Sequence, residues 1–395
     1  IQDRMFDEGG ALFYPAYPGD PFYADFITGE GAILPPEIFP GGGPTALAEF
    51  FGDHIVVNGV IWPKEEVEPR NYRMRLLNGT DSRFMVFRFR AVSAGATDLS
   101  MASAPIPFWV IGSDQGLASA ATQVDALVSE PGSRIILENI GGDAPFGGDY
   151  GGDLDPGDFF PDRQTDRIMA FDVNQPFDTA VPDVSPVGIN FGPVVPTPTR
   201  LRKVALFEGM DEFGRLQPLL GTAEPATDYL GNPINWPNNP EYSSVGLVGQ
   251  MEGSIAWHSP TTENPALDST EEWEIWNVTG DAHPVHLHLV NFEILGRKEI
   301  VWDSATTEDD RVLDPAGISA PAPNGDGTYL VNQPVVQHNG LLGNGFRIVN
   351  NTIGGVVPQP VGYVENAPKD MVTALPGQVT RIKATFDKPG RYVWH

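Results

Sequence analysis

The chain has 395 residues, with 24 Lys and Arg against 52 Asp and Glu, a formal net charge of −28 at pH 7. An acidic excess of this size repels polyphosphate and speaks against a nucleic-acid partner; it suits cationic or neutral partners, although a merely well-solvated surface is the plainer reading. No stretch approaches the roughly 18–20 consecutive apolar residues of a membrane-spanning helix, and with no cysteine the chain holds neither disulfides nor thiolate ligands.

Gly and Pro punctuate short apolar runs, and no long 3.6-residue period appears. Tyr72, Met74 and Leu76 alternate with arginines, and Met85, Phe87 and Phe89 alternate with Val86, Arg88 and Arg90. That period of two is expected of half-buried strands. Residues 107–112, 134–140 and 167–173 read as further strands. A Pro-rich stretch, 174–199, follows and reads as an extended connector. Beyond it, strands are predicted over 202–207, 272–278, 286–295, 379–386 and 391–395. Many short strands between turn residues predict an all-β chain of antiparallel β-sandwiches. The expected division is 1–173, the connector 174–199, and 200–395, with no internal repeat visible by eye.

Several segments invite a binding reading and receive a plainer one. Gly141-Gly-Asp143, Gly147-Gly-Asp149 and Gly151-Gly-Asp153, continuing through Asp155 and Asp158, could wrap a hard cation, but their spacing fits neither the EF-hand loop nor the nine-residue calcium repeat. An acidic loop is the expectation. The triplets at Asn78, Asn277 and Asn350 fit a glycosylation pattern that also arises by chance. His54, His258 and His338 read as packing, loop or strand-edge residues.

The segment Asp281-Ala-His-Pro-Val-His-Leu-His-Leu-Val-Asn-Phe292 is different, because it holds three of the chain's seven histidines. On a strand, His286 and His288 share a face and His283 has the opposite parity. Two imidazoles are thus offered to one metal site and a third to the far side. Pro284 has no N–H and keeps His283 extended, which suits a strand entry.

His-Pro-Val-His-Leu-His-Leu-Val-Asn-Phe resembles the third-domain copper motif of multicopper oxidases, in the branch of bacterial spore-coat laccases, bilirubin oxidases and phenoxazinone synthases. Ile1-Gln-Asp-Arg-Met-Phe, Leu12-Phe-Tyr-Pro, Val57-Asn-Gly-Val-Ile-Trp-Pro and Val67-Glu-Pro-Arg-Asn-Tyr-Arg-Met-Arg-Leu-Leu-Asn78 resemble second-domain landmarks of that branch. So does Ile111-Gly-Ser-Asp-Gln-Gly-Leu117. Lys369-Asp-Met-Val and Gly390-Arg-Tyr-Val-Trp-His395 resemble the approach to its last copper motif. The likeness weakens over about 222–265 and 303–368.

The resemblance implies tandem cupredoxin-like Greek-key β-sandwiches: a second domain with its entry segment at 1–173, and most of a third at 200–395. It implies copper held by His283, His286, His288 and His395. By matching position, His283 would ligate the mononuclear blue copper, His286 the type 2 copper, and His288 and His395 the type 3 pair. The activity implied is laccase-like, with a small aromatic reductant and dioxygen as partners. Phenoxazinone synthase, bilirubin oxidase and metal-ion oxidase share the motifs. The family's Cys ligand and its N-terminal His-x-His motifs have no counterpart here, so the sequence reads as a window on a longer enzyme, with a non-catalytic copper-binding or structural pair as the alternative. An extracellular, periplasmic or spore-surface location would follow from the family. The sequence leaves the oligomeric state open.

Overall fold

The computed structural model describes residues 1–13, 50–94, 96, 99, 101–124, 133–143, 146–148, 164–189, 196–210, 216–243, 247–255, 257, 259–302, 312–313, 347–348, 351–360 and 362–395. Before residue 174 the strands are β1 (Gln2–Phe6), β2 (Leu12–Phe13), β3 (His54–Val57), β4 (Val60–Ile61), β5 (Lys64–Val67), β6 (Phe87–Ser93), β7 (Phe108–Ser113), β8 (Gly116–Val124), β9 (Ser133–Asn139) and β10 (Arg167–Val173). They form sheets ordered β2-β1-β3-β4 and β5-β10-β9-β6, with β7 and β8 as a separate hairpin.

After residue 199 come β11 (Arg200–Met210), β12 (Leu216–Thr222), a helical turn α1 (Pro240–Ser243), β13 (Gly253–Ile255), β14 (Ser269–Asn277), β15 (His283–His286) and β16 (Phe292–Trp302). β17 (Val312–Leu313), β18 (Arg347–Ile348), β19 (Asn351–Val357), β20 (Met371–Ala374) and β21 (Gln378–Phe386) complete the set. Seven of these make one sheet, β13-β12-β11-β14-β21-β16-β19, while β15 pairs with β20 and β17 with β18. The all-β class expected from the sequence holds. Among the described residues no helix is long and apolar enough to cross a membrane.

The side-chain period explains how the large sheet builds a core on each face. Val204 and Leu206 of β11 join Trp273, Ile275, Phe292 and Ile382 in one cluster, while Ala205 and Phe207 join Trp276 and Val379 in another. Neighbours along a strand thus serve opposite cores. The first cluster also takes Val285 and Leu287, with Val372 and Ala374 of β20, so it lies between the large sheet and the β15–β20 ribbon. Within it, Arg202 donates to both oxygens of Glu271, at 2.8 and 2.9 Å, and the Trp273 indole donates to Glu271 at 3.0 Å. A buried carboxylate is tolerated because its acceptor sites are filled in this way. Close approach of β12 to β13 requires Gly221, where a Cβ would collide with the Gly253 carbonyl.

Three expectations are corrected. β10 runs parallel to β5 and β11 parallel to β14, so the sheets are mixed and not purely antiparallel. Alternation records which face a side chain takes, and this is the same for both strand directions. Second, 286–295 is two elements: β15 ends at His286 and β16 begins at Phe292, because Leu289 adopts a left-handed backbone (φ 64°) that turns the chain. Third, residues 71–80 form no strand, leaving Tyr72, Met74 and Leu76 exposed, since alternation alone supplies no ladder partner. Residues 391–395 pair only through a bridge of Trp394 to Leu287 and its flanking hydrogen bonds.

Phe292 is 1% exposed at the centre of the main core. Phe292→Ala is expected to lower the unfolding free energy by about 3–5 kcal/mol in urea denaturation. Val356→Ala, on an exposed side chain of β19, should change it by less than about 0.5 kcal/mol.

Candidate metal centre

β15 sits opposite β20 in antiparallel register, His283 facing Ala374 and His286 facing Met371. Val285 and Leu287 are buried in the main core, which turns His286 and His288 to the other side of the ribbon. The segment 393–395 lies alongside. His286 N–H donates to the His395 carbonyl at 2.7 Å, His395 N–H donates back to His286 at 3.0 Å, and His288 N–H donates to Val393 at 3.1 Å. Trp394 packs into the same core edge-on to Trp273, its indole donating to Glu263 at 3.2 Å. With Trp394 turned inward, His395 falls on the side of His286 and His288.

Among the described residues, one group of His, Cys, Asp and Glu side chains could hold a metal ion, and it is His286, His288 and His395, whose ligand atoms lie within 4.8 Å of one another. His395 Nε2 is 3.2 Å from both His286 Nδ1 and His288 Nε2. A neutral imidazole offers one N–H and one lone pair, so His395 Nε2 cannot serve both neighbours well as a hydrogen-bonding atom. Three lone pairs turned to a common point suit a cation better. Burial, and then the proximity of His286 and His288, pushes the His395 pKa down, favouring the unprotonated form that a ligand requires.

His283 lies outside this group. Its Nε2 is 2.6 Å from Thr279 Oγ1, and burial lowers its pKa to about 4, so the ring is neutral. The strand's own period thus divides His283 from His286 and His288, and His395 joins the latter pair from the neighbouring segment.

Sequence reasoning did not identify the acidic neighbours of the trio. Asp370 Oδ2 is 3.5 Å from His286 Nε2, and the Asp370 carbonyl accepts Leu287 N–H at 3.0 Å. Asp370 is met in turn by the tip of the β7–β8 hairpin. Gln115 Nε2 donates to Asp370 Oδ2 at 2.5 Å, and Asp114 accepts Lys369 Nζ at 2.6 Å and the N–H groups of Asp370 and Met371 at 2.7 and 3.0 Å. Burial opposes the Asp114 charge, but its side-chain hydrogen bond with the Asp370 carboxyl, and then its bonds to Lys369 and to the Asp370 N–H, hold its carboxyl well below the usual carboxylate range. Burial and the adjacent Asp114 push the Asp370 carboxyl up. The Ser-Asp-Gln-Gly run signals a turn in sequence, but nothing local says what that turn touches.

A cavity of about 1050 Å³ opens between the two halves of the chain, with Met74, Leu76, Pro284, Tyr363 and Met371 among its walls.

The plainer readings can be placed as well. His54 bonds Asp53 at 2.6 Å and stacks on Trp62 in a packing role. His258, His338 and Asn350 lie outside the described residues. Asp143 pairs with Arg83, which also binds Asp3 at 3.0 Å; most of the remaining 141–158 segment lies outside the described residues. Asn277 is fully buried and its amide donates to the Asp281 and Ala374 carbonyls at 2.7 and 3.0 Å, so it is no surface acceptor.

Comparison with known proteins gives a match of residues 232–318 to a family model described as multicopper oxidase. A laccase of Bacillus subtilis is 28% identical over the whole chain, which covers 58% of that protein. A laccase of Haloferax volcanii is 24% identical over the whole chain and 48% of its own length. Bilirubin oxidase of Albifimbria verrucaria is 30% identical over 64% of this chain and 38% of its own. The solved multicopper oxidase McoA of Aquifex aeolicus aligns with the whole chain and 60% of its own, at 17% identity and a TM-score of 0.47. The chain therefore spans less than two thirds of the length of these proteins.

The Asp114 bonds lead to a pH dependence. Its folded-state pKa lies below its unfolded value, so the stability it contributes is full above the ordinary carboxylate range, starts to fall as pH enters that range and is lost as pH falls on through the depressed folded-state value. Urea denaturation across pH should show wild type more stable than Asp114→Asn at neutral pH, with the gap closing below about pH 4.

Proposed function

The chain is related to the multicopper oxidases, and on that premise we propose that it is part of a laccase-like oxidase. Such an enzyme takes single electrons from small phenols or aromatic amines and passes them to dioxygen, which is reduced to water. The observation that carries this reading is the convergence of the His286, His288 and His395 imidazoles, brought together from positions 109 and 107 residues apart. The donor set suits copper, which takes imidazole ligands readily. His286, His288 and His395 would hold copper of the oxygen-reducing cluster, with His286 on the type 2 ion and the other two on the type 3 pair. His283 would serve the separate blue copper.

Copper, when bound, supplies the one-electron steps that no side chain of this kind performs alone. The chain's own residues bind and orient. Val285, Leu287 and Trp394 seat the ligand strands in the core and so fix where the rings project. Burial keeps His283 neutral and available as a donor. Its fit to a blue-copper centre is as one ligand only, because the chain contains no cysteine. The cavity walled in part by Met74, Leu76, Tyr363 and Pro284, the last adjacent to His283, offers an aromatic reductant an apolar patch beside charged walls that include Arg73, Arg75, Glu365 and Lys369. The division into units 1–173 and 200–395, joined by 174–199, belongs to the same proposal. It is supported by the absence, among the described residues, of any strand ladder crossing between them.

Cu(II) titration followed by electron paramagnetic resonance tests the reading. Nitrogen-coordinated copper is expected, with His286→Ala, His288→Ala and His395→Ala each weakening it by about tenfold or more and His54→Ala leaving it unchanged. Copper held without imidazole nitrogen, or indifferent to all three substitutions, would refute the assignment. Oxygen uptake with phenols and o-aminophenols by the copper-loaded whole protein tests the activity.

A further inference from the structure

We propose that Asp370 is a positioning residue for His286, held in place by Asp114 and Gln115 at the tip of the β7–β8 hairpin. The inference rests on the reading of His286 as a copper ligand and adds to it the group that sets the ring's orientation. An imidazole has two nitrogens, and a site that needs one of them bare must control the other. In His286, Nδ1 faces His395 at 3.2 Å and Nε2 faces Asp370 Oδ2 at 3.5 Å. A carboxylate there favours the proton on Nε2 and leaves the Nδ1 lone pair turned toward the trio. His288 and His395 have no carboxylate recorded in such a place among the described residues, so His286 is singled out.

Asp370 can act this way only if it is itself fixed. Its backbone is bonded on one side to Leu287, next to His286, at 3.0 Å, and on the other to the Asp114 carboxylate at 2.7 Å. Its side chain takes the Gln115 amide at 2.5 Å on the same oxygen that faces His286. The hairpin is anchored along the whole approach. Ser119 N–H donates to the Asn366 carbonyl at 2.9 Å, the Asn366 amide donates to Ala120 at 3.0 Å, and Ser113 Oγ donates to the Pro368 carbonyl at 3.1 Å. A turn in the first half of the chain thus sets the orientation of a ring in the second half, more than 160 residues away in sequence, through one carboxylate.

The test uses the full chain with Asp370→Ala and the shape-conserving Asp370→Asn. In the copper-free wild type, imidazole nitrogen chemical shifts should report His286 protonated at Nε2, and in Asp370→Ala this preference should be lost. Cu(II) affinity should fall about tenfold or more in Asp370→Ala and by a smaller factor in Asp370→Asn, while the urea midpoint of the copper-free protein is unchanged. If Asp370→Ala does not fold, Asp370→Asn reads the same two quantities. Folded variants with the wild-type tautomer and an affinity within about twofold of wild type would overturn the inference. A wild type that shows the Nε2 tautomer but binds no nitrogen-coordinated copper would instead sink the metal reading and leave the positioning role standing.

Discussion

The rest of the site depends on the two-residue period of one short strand being pinned by its apolar members. Val285 and Leu287 sit in the core beside Phe292 and Ile382, and burial of each side chain is worth roughly 1.5–3 kcal/mol. A slip of one residue would expose both and bury His286 and His288, which no hydrogen-bond partner in that core could satisfy. The hydrophobic effect, which has no direction of its own, is in this way converted into the orientation of two imidazoles. Trp394 repeats the device for His395, its indole held between Trp273 and the Glu263 carboxylate.

A second layer of control is electrostatic and long-ranged in sequence. The β7–β8 hairpin brings Asp114 and Gln115 against Lys369, Asp370 and Met371, so two carboxylates stand side by side. Like charges at such a distance repel, and the structure resolves this by giving Asp114 the donors and leaving Asp370 the more easily protonated of the two. The arrangement fastens the first half of the chain to the second next to the histidines, where any relative movement would disturb them most.

How much of this was legible in the sequence follows from what each signal encodes. Short apolar runs bounded by turn residues over 134–140, 167–173, 202–207 and 379–386 place strands that the structure has within a few residues, because strand-length apolar segments between turns have few other ways to be buried. The opposite parity of His283 is equally local and could be read directly. Strand direction could not, since parallel β11–β14 and antiparallel β14–β21 pairs present the same side-chain pattern. The break at Leu289 was hidden too, because a left-handed leucine has no compositional signature. Asp370 and Gln115 lie in segments that sequence likeness picked out, but their role is a tertiary contact between distant turns, which no window of sequence contains. The partner of Asp143 was hidden for the same reason: it is tied to Arg83, sixty residues earlier.

The backbone pairing of His286 with His395 also bears on how the molecule reaches its folded form. The two residues are 109 positions apart, and the hydrogen bonds between them close a loop that contains β16 through β21. Closing such a loop costs chain entropy that grows only slowly with its length, but the cost must be met before the contact rewards it. Because β16 and β21 are ladder neighbours within the loop, their pairing brings the two ends near each other first and shortens the effective closure. The three imidazoles therefore converge only in a chain in which these strands are already paired. A cation that engages all three would bind the finished fold and not its precursors, so it would act as a latch on a structure already formed.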